Sequence, residues 1–166
     1  MSSTEEHIEQ IANLLCASNW TLATAESCTG GLLGHRITDV SGSSDYYLGG
    51  VVSYNNEAKM ELLGVKKQTL EKFGAVSEET VREMAQGVKS LFKSDLGISI
   101  SGIAGPTGGT PEKPVGLIYI SISGPNNHIT NIKKLFNSTR NRIEIQRLSV
   151  NVCLNSLRLI LLSNSK

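Results

Sequence analysis

Residues 24–31 read TAESCTGG, and they stand between a short β-prone run at residues 21–25 and the positions Leu32, Leu33, Arg36 and Ile37, where a helix opens. A strand that turns sharply into a helix holds its turn residues at the carboxyl end of a sheet. It also aims unpaired helix amino-terminal amides at the same spot. Such amides hold a phosphate or serve as an oxyanion hole beside a nucleophile, and Ser27 is the hydroxyl presented there. Gly30 and Gly31 let a ligand approach the backbone. The plainer alternative is a capped strand-to-helix turn with Ser27 and Thr29 as ordinary caps, and these residues alone do not separate the two.

Upstream, Ser3-Thr4-Glu5-Glu6 fits a capping box, and Ile8, Ile11, Leu14 and Leu15 recur at helical spacing, predicting a first helix that ends near Asn19. Downstream, residues 47–54 read as a strand whose Gly49 and Gly50 mark a bulge or a close backbone approach. Asn55-Asn56-Glu57 breaks that strand, and residues 58–63 form a short helix stopped by Gly64. Ser77 caps a further helix with a buried stripe of Val81, Met84, Ala85, Val88, Leu91 and Phe92. Residues 96–100 are a buried strand running into the glycine-rich loop SGIAGPTGGTPEKPVG at 101–116. Strands at 115–123 and 129–136 are joined by the hairpin turn Gly124-Pro125-Asn126-Asn127.

A final helix follows Asn141, with Ile145, Leu148, Val152 and Leu159 along one face. Leu154, Leu157, Ile160, Leu161 and Leu162 add apolar positions on its other sides. They fit a partner surface, hence a homo-oligomer, or burial in a two-layered core. Helices alternate with strands while one hairpin is present. The expected fold is therefore α/β, a three-layer αβα sandwich with a mixed, mostly parallel sheet.

The 166 residues, 39% of them hydrophobic, are expected to build a single domain over 1–166. Sixteen Lys and Arg against fifteen Asp and Glu give no electrostatic reason for a broad nucleic-acid or membrane surface. A small anionic ligand needs only a few local donors and stays open. The opening MSSTEEHIEQ is acidic and polar, unlike a secretory signal, and no apolar run approaches the roughly 20 residues that span a bilayer. Cys16, Cys28 and Cys153 are odd in number and far apart, so neither a disulfide framework nor a CxxC metal site is expected, and the setting reads as cytoplasmic. His7, His35 and His128 are scattered, and no metal is expected.

Two further stretches carry candidate chemistry. Tyr54-Asn55-Asn56-Glu57-Ala58-Lys59 lies just past the end of a predicted strand. A serine nucleophile needs an adjacent base, and a buried lysine serves because desolvation favours its neutral form. Bringing its pKa from about 10.4 to near 7 costs roughly 4–5 kcal/mol, which only a shaped, partly dry pocket sustains. Tyr54 is placed to relay a proton or orient Lys59; equally, Lys59 reads as a solvated helix residue. The loop from Gly102 through Ala104, Gly105, Thr107 and Gly108 follows a buried strand, where ligands bind in open α/β sheets. Its small residues suit wrapping an anion or a ribose, or mere flexibility. It matches neither GxxxxGK[ST] nor GxGxxG, so a P-loop and a dinucleotide fingerprint are both disfavoured.

TAESCTGG, SYNNEAK at 53–59, GAVSEETV at 74–81 and SGIAGPTGGTPEKPVG, in this order and spacing, resemble the CinA C-terminal family. Characterised members of that family are nicotinamide-nucleotide amidases. The resemblance runs from about residue 21 to 121 and is weaker at both ends. It implies hydrolysis of the carboxamide of nicotinamide mononucleotide without metal or organic cofactor. The larger domain that precedes this module in two-domain relatives is not expected in this chain. The family's serine nucleophile falls on Ser27, its lysine base on Lys59 and the supporting tyrosine on Tyr54. Thr29, Asn56 and the span from Gly105 to Gly108 fall on positions near the nucleotide.

Where family members commonly carry Gly-Asp-Arg before the last helix, this chain has Ser138-Thr139-Arg140; Arg140 keeps the phosphate-facing charge. Arg142 and Glu144 flank the place of a second arginine and receive no role, and Thr107 stands where an acidic residue is frequent. Two rivals remain: Cys28 as nucleophile at a helix amino end, and a nucleotide-binding protein without turnover.

Overall fold

The computed structural model describes residues 3–164 and, within α1, side chains from Glu6 onward; the capping box expected at residues 3–6 lies outside them. The chain runs through α1 (Ser3–Ser18), β1 (Leu22–Glu26), α2 (Leu32–Ile37), β2 (Tyr47–Val52), α3 (Asn56–Leu63), α4 (Lys67–Phe73), α5 (Glu78–Phe92), β3 (Leu96–Gly102), β4 (Leu117–Ser123), β5 (Ile129–Leu135) and α6 (Arg142–Ser163). The strands form one sheet in the order β2-β1-β3-β4-β5. β1 pairs parallel with β2 and with β3, whereas β4 runs antiparallel to both β3 and β5. The mixed α/β sheet is as expected, with four strands pointing one way and β4 the other.

The strand period of two gives the sheet two different faces. Leu96, Ile98 and Ile100 of β3 stand beside Ile118, Ile120 and Ile122 of β4 and pack with Ile11 and Leu15 of α1 and Leu157 of α6. The opposite face is small. Ala23 and Ala25 of β1 meet Met84 and Val88 of α5. A side chain at Gly97 would come 2.2 Å from the Ala85 carbonyl oxygen, so only glycine lets α5 settle this close. Ser99 and Ser101 donate to the carbonyls of Val81 and Ala75, which satisfies hydroxyls that burial would otherwise penalise. Helices on both faces complete the αβα sandwich.

Several sequence expectations shift. α4 was not expected; its sequence KQTLEKF is polar and buries only Thr69 and Leu70, too little for periodicity to register. On α5, Val81, Met84, Ala85 and Val88 are buried as expected, but Leu91 is 53% exposed. Leu91 follows Gly87 by one turn, and Gly87 faces Leu63 of α3, so Leu91 points into the groove between α3 and α5. The expected irregularity in β2 is present: the register slips beside Leu22, leaving Leu48 as the extra residue, and Gly49 lies under the Phe92 ring.

The buried line on α6 is Ile145, Ser149, Val150, Cys153, Leu154, Leu157 and Leu161, not the expected Leu148, Val152 and Leu159. Leu148 and Val152 are half-buried and Leu159 is 53% exposed. The true line includes Ser149 and Cys153, which an apolar count passes over; Ser149 is accommodated by donating to the Ile145 carbonyl. Leu154, Leu157 and Leu161 thus belong to the core rather than to a partner surface. α6 also corrects the reading of apolar runs, because by length and composition it alone among the described helices could cross a bilayer. Here its apolar side packs on α1, α2 and β4.

Candidate active site

β1, β2 and β3 point the same way, so their carboxyl ends lie side by side. Past the end of β1, the Ser27 amide still donates to the Ile100 carbonyl (3.0 Å), and the Gly30 amide donates back to the Ser27 carbonyl (3.1 Å). This holds Ser27 at the tip of a tight turn, half-buried. Past the end of β2, the Asn55 side chain accepts from the Ala58 amide and starts α3, which Gly64 ends in the left-handed region. One turn into α3, Lys59 points inward and is 1% exposed. Its Nζ donates to the Ser53 carbonyl at 2.7 Å and lies 3.1 Å from Ser27 Oγ. Burial pushes the Lys59 pKa below the ordinary lysine value, so the solvated-helix alternative does not hold.

The amino end of α2 differs from the expectation. Glu26, the last residue of β1, is 2% exposed and turns its carboxylate onto that end. Oε2 accepts from Thr29 Oγ1 (2.6 Å) and from the amides of Gly31 (3.1 Å) and Leu33 (3.0 Å), and Oε1 accepts from the Gly34 amide (2.8 Å). The α2 amides are thus occupied by the protein's own carboxylate and hold neither phosphate nor oxyanion. Thr29 is turned to Glu26, and Gly31 contributes its amide there, while Gly30 stays exposed with open space around it. Among the described residues, the Cys28 and Thr29 amides beside Ser27 donate to no oxygen. Burial pushes the Cys28 thiol up to about 12, against its use as a nucleophile.

Tyr54 is 61% exposed, and its hydroxyl accepts from the Arg142 guanidinium. Arg142 also donates to the Gly105 carbonyl at 2.9 Å, so the start of α6 ties the β2–α3 turn to the glycine-rich loop. Arg140 is exposed, and its backbone amide donates to the Asn137 carbonyl at 3.1 Å. Asn56 is exposed as the first residue of α3. In the loop, Ala104 and Gly105 are buried while Thr107 and Gly108 are exposed. Gly102 is needed for packing, since a Cβ there would come 2.6 Å from the Leu117 carbonyl oxygen. Gln146 Nε2 donates to the Cys28 carbonyl at 2.8 Å, bracing the Ser27 turn from α6. The sequence reading gives no role to Glu26, Arg142 or Gln146. The signal for Glu26 lay within TAESCTGG, as a carboxylate at the end of β1 on the turn that leads into α2.

Residues 4–161 match the CinA C-terminal domain family. A CinA-like protein of Prochlorococcus marinus (strain AS9601) is 66% identical over 152 residues, covering 92% of this chain and 36% of that protein. A CinA-like protein of Nostoc punctiforme is 50% identical over 153 residues, 92% of this chain and 37% of that protein. The crystal structure of the competence/damage inducible protein CihA from Agrobacterium tumefaciens superposes with a TM-score of 0.93 at 35% identity, covering 97% of this chain and 96% of that one. A CinA superfamily protein from Escherichia coli gives a TM-score of 0.88 at 30% identity, over 96% and 90% of the two chains.

The chain belongs to the CinA C-terminal domain family. It spans about a third of the length of the curated CinA-like relatives named above and nearly all of the solved family chains. In this CinA domain the Ser27 hydroxyl, half-buried, is backed by the buried Lys59 amine at 3.1 Å. Such a pair suits acyl transfer, with the amine taking the hydroxyl proton. Among the described residues, no group of three or more His, Cys, Asp or Glu is gathered in a way that could hold a metal ion.

Proposed function

We propose that this chain hydrolyses the exocyclic carboxamide of nicotinamide mononucleotide, giving nicotinate mononucleotide and ammonia. The observation that carries the reaction type is the 3.1 Å approach of the buried Lys59 amine to Ser27 Oγ. The substrate class is the one that the resemblance of the motifs to the CinA C-terminal family implies.

Neutral Lys59 accepts the Ser27 proton as Oγ attacks the carboxamide carbon. The Cys28 and Thr29 amides face the developing oxyanion from the same turn. The C–N bond then breaks as protonated Lys59 returns its proton to the departing ammonia. Water, deprotonated in its turn by Lys59, attacks the acyl-Ser27 ester and releases the carboxylate product. Tyr54 and Arg142 border the site together with the loop from Gly102 to Gly108, where the ribose phosphate is held. The reading invokes no metal or organic cofactor.

Ammonia release from nicotinamide mononucleotide, with free nicotinamide and the dinucleotide as controls, tests the proposal. Ser27→Ala and Lys59→Ala are expected to fold and to lose nearly all turnover. Full activity in either purified variant overturns it. Stoichiometric binding of the mononucleotide by the parent chain with no ammonia would identify a binding protein instead.

A further inference from the structure

We infer that Glu26 is a positioning residue for the Ser27 nucleophile: its carboxylate fills the amino end of α2 and so fixes the turn that presents the hydroxyl. The inference rests on Ser27 being the nucleophile and adds a residue to which the proposed mechanism gives no step.

The carboxylate accepts four hydrogen bonds, from Thr29 Oγ1 and from the amides of Gly31, Leu33 and Gly34. All four donors lie two to seven residues after Ser27, so a single side chain anchors the whole exit of the turn. The entrance is held by backbone: the Ser27 amide bonds to Ile100, and the Glu26 carbonyl accepts from the Ser53 amide at 2.8 Å. That last bond is also a link to the base, because the Ser53 carbonyl accepts from Lys59 Nζ. Residue 26 therefore registers the nucleophile strand against the segment carrying Lys59 through its backbone, and pins the helix after the nucleophile through its side chain.

The carboxylate takes the place an external anion would need on these amides. A Cβ on Gly34 would stand 2.6 Å from the Tyr47 hydroxyl, which itself pairs with Thr24 Oγ1 at 2.8 Å. With the α2 amides committed, the donors of the turn that bond to no oxygen are the Cys28 and Thr29 amides, the first of them turned in part to its own thiol. The geometry thus separates two tasks that a helix amino end often combines: α2 holds the turn, and the Cys28 and Thr29 amides are left for the reacting oxygen.

Glu26→Gln tests this with little change of shape. Glutamine offers one acceptor oxygen and an NH2 group where the carboxylate offered two oxygens, so at least one of the four donors loses its partner. The readout is the rate at which a phosphonofluoridate labels Ser27, followed by mass. In that reaction an O–P bond forms, fluoride leaves and the hydroxyl proton passes to base, with no need for nicotinamide recognition. A misplaced nucleophile is expected to label about 10²-fold more slowly. Under the amidase reading, kcat falls in parallel while KM for the mononucleotide stays near the parent value. Thr29→Val, which removes one donor and leaves the carboxylate, is expected to slow labelling several-fold and decides the matter if Glu26→Gln does not fold. A lowered melting midpoint with an unchanged labelling rate in the folded variants overturns the positioning role alone. A parent protein whose Ser27 neither labels nor releases ammonia overturns the nucleophile reading and this inference with it. A parent that labels but releases no ammonia overturns only the choice of substrate.

Discussion

Lys59 Nζ and Ser27 Oγ are 3.1 Å apart, yet the two side chains occupy different media: Lys59 is 1% exposed, while Ser27 is half-buried at the mouth of the site. The separation comes from topology. Ser27 rides a turn off β1, and Lys59 enters from behind on α3, so α3 shields the amine while the hydroxyl keeps its access. The Ser53 carbonyl gives the amine a neutral partner, and among the described residues no carboxylate lies within hydrogen-bonding distance of it to hold the proton on. Desolvation then governs its protonation, in the direction a general base requires.

That direction sets a pH dependence of stability. Burial lowers the Lys59 pKa in the folded state below 10.5, so between the folded value and 10.5 the unfolded chain binds more protons. Stability rises with pH wherever the unfolded state binds more protons. Below the folded value both states carry the proton and the penalty is full; above 10.5 both are neutral and it is gone. Lys59→Met keeps the bulk and removes the charge. The variant is expected to melt above the parent at neutral pH, with the gap closing as pH is raised through the folded value towards 10.5. Thermal melts of the two proteins over that range check it, and a gap that stays constant would reject the assignment. The parent's kcat/KM for ammonia release is expected to rise through the same folded value.

Cys28 offers the contrasting case one residue away. Its thiol is 6% exposed and is pushed up to about 12, so at neutral pH the thiolate is essentially absent. Cys28→Ala is expected to lose about 1 kcal/mol of stability through lost packing and to keep kcat close to the parent's. Iodoacetamide at pH 7 is expected to leave activity intact. Loss of turnover in a well-folded Cys28→Ala protein would return the thiol to the mechanism.

How far the site could be read from sequence depended on whether a residue's role is local. The strand, the turn and the start of α2 were legible because TAESCTGG carries its own punctuation, and Asn55 and Gly64 framed α3 in the same way. The inward turn of Lys59 was not, since only the packing of α3 on α5 decides which helix face is dry. The fate of the α2 amides was misjudged for a related reason: helix starts invite an external anion, but β1 delivers its own carboxylate at Glu26. On α6, the expected stripe slid towards solvent because Ser149 and Cys153 occupy core positions that apolar spacing does not count. Long-range ties such as Gln146 to Cys28 leave no local pattern at all.

Arg142 is the long-range tie with the clearest consequence. Sequence register placed the phosphate-facing charge on Arg140, but Arg140 is exposed and among the described residues its side chain forms no hydrogen bond or ion pair, whereas Arg142 joins the Tyr54 hydroxyl to the Gly105 carbonyl. A hydrogen bond from a charged donor contributes about 1.5–3 kcal/mol, and each 1.4 kcal/mol is about tenfold in an equilibrium or rate ratio. Arg142→Ala is therefore expected to lower kcat/KM for the mononucleotide by about 10- to 100-fold, while Arg140→Ala stays near the parent. Arg142→Lys is not expected to restore activity, because a point-charge ammonium cannot reproduce the guanidinium fork that spans both acceptors. Steady-state ammonia release by the three variants checks this. A large loss in Arg140→Ala with none in Arg142→Ala would put the anion-facing charge back where the sequence register had it.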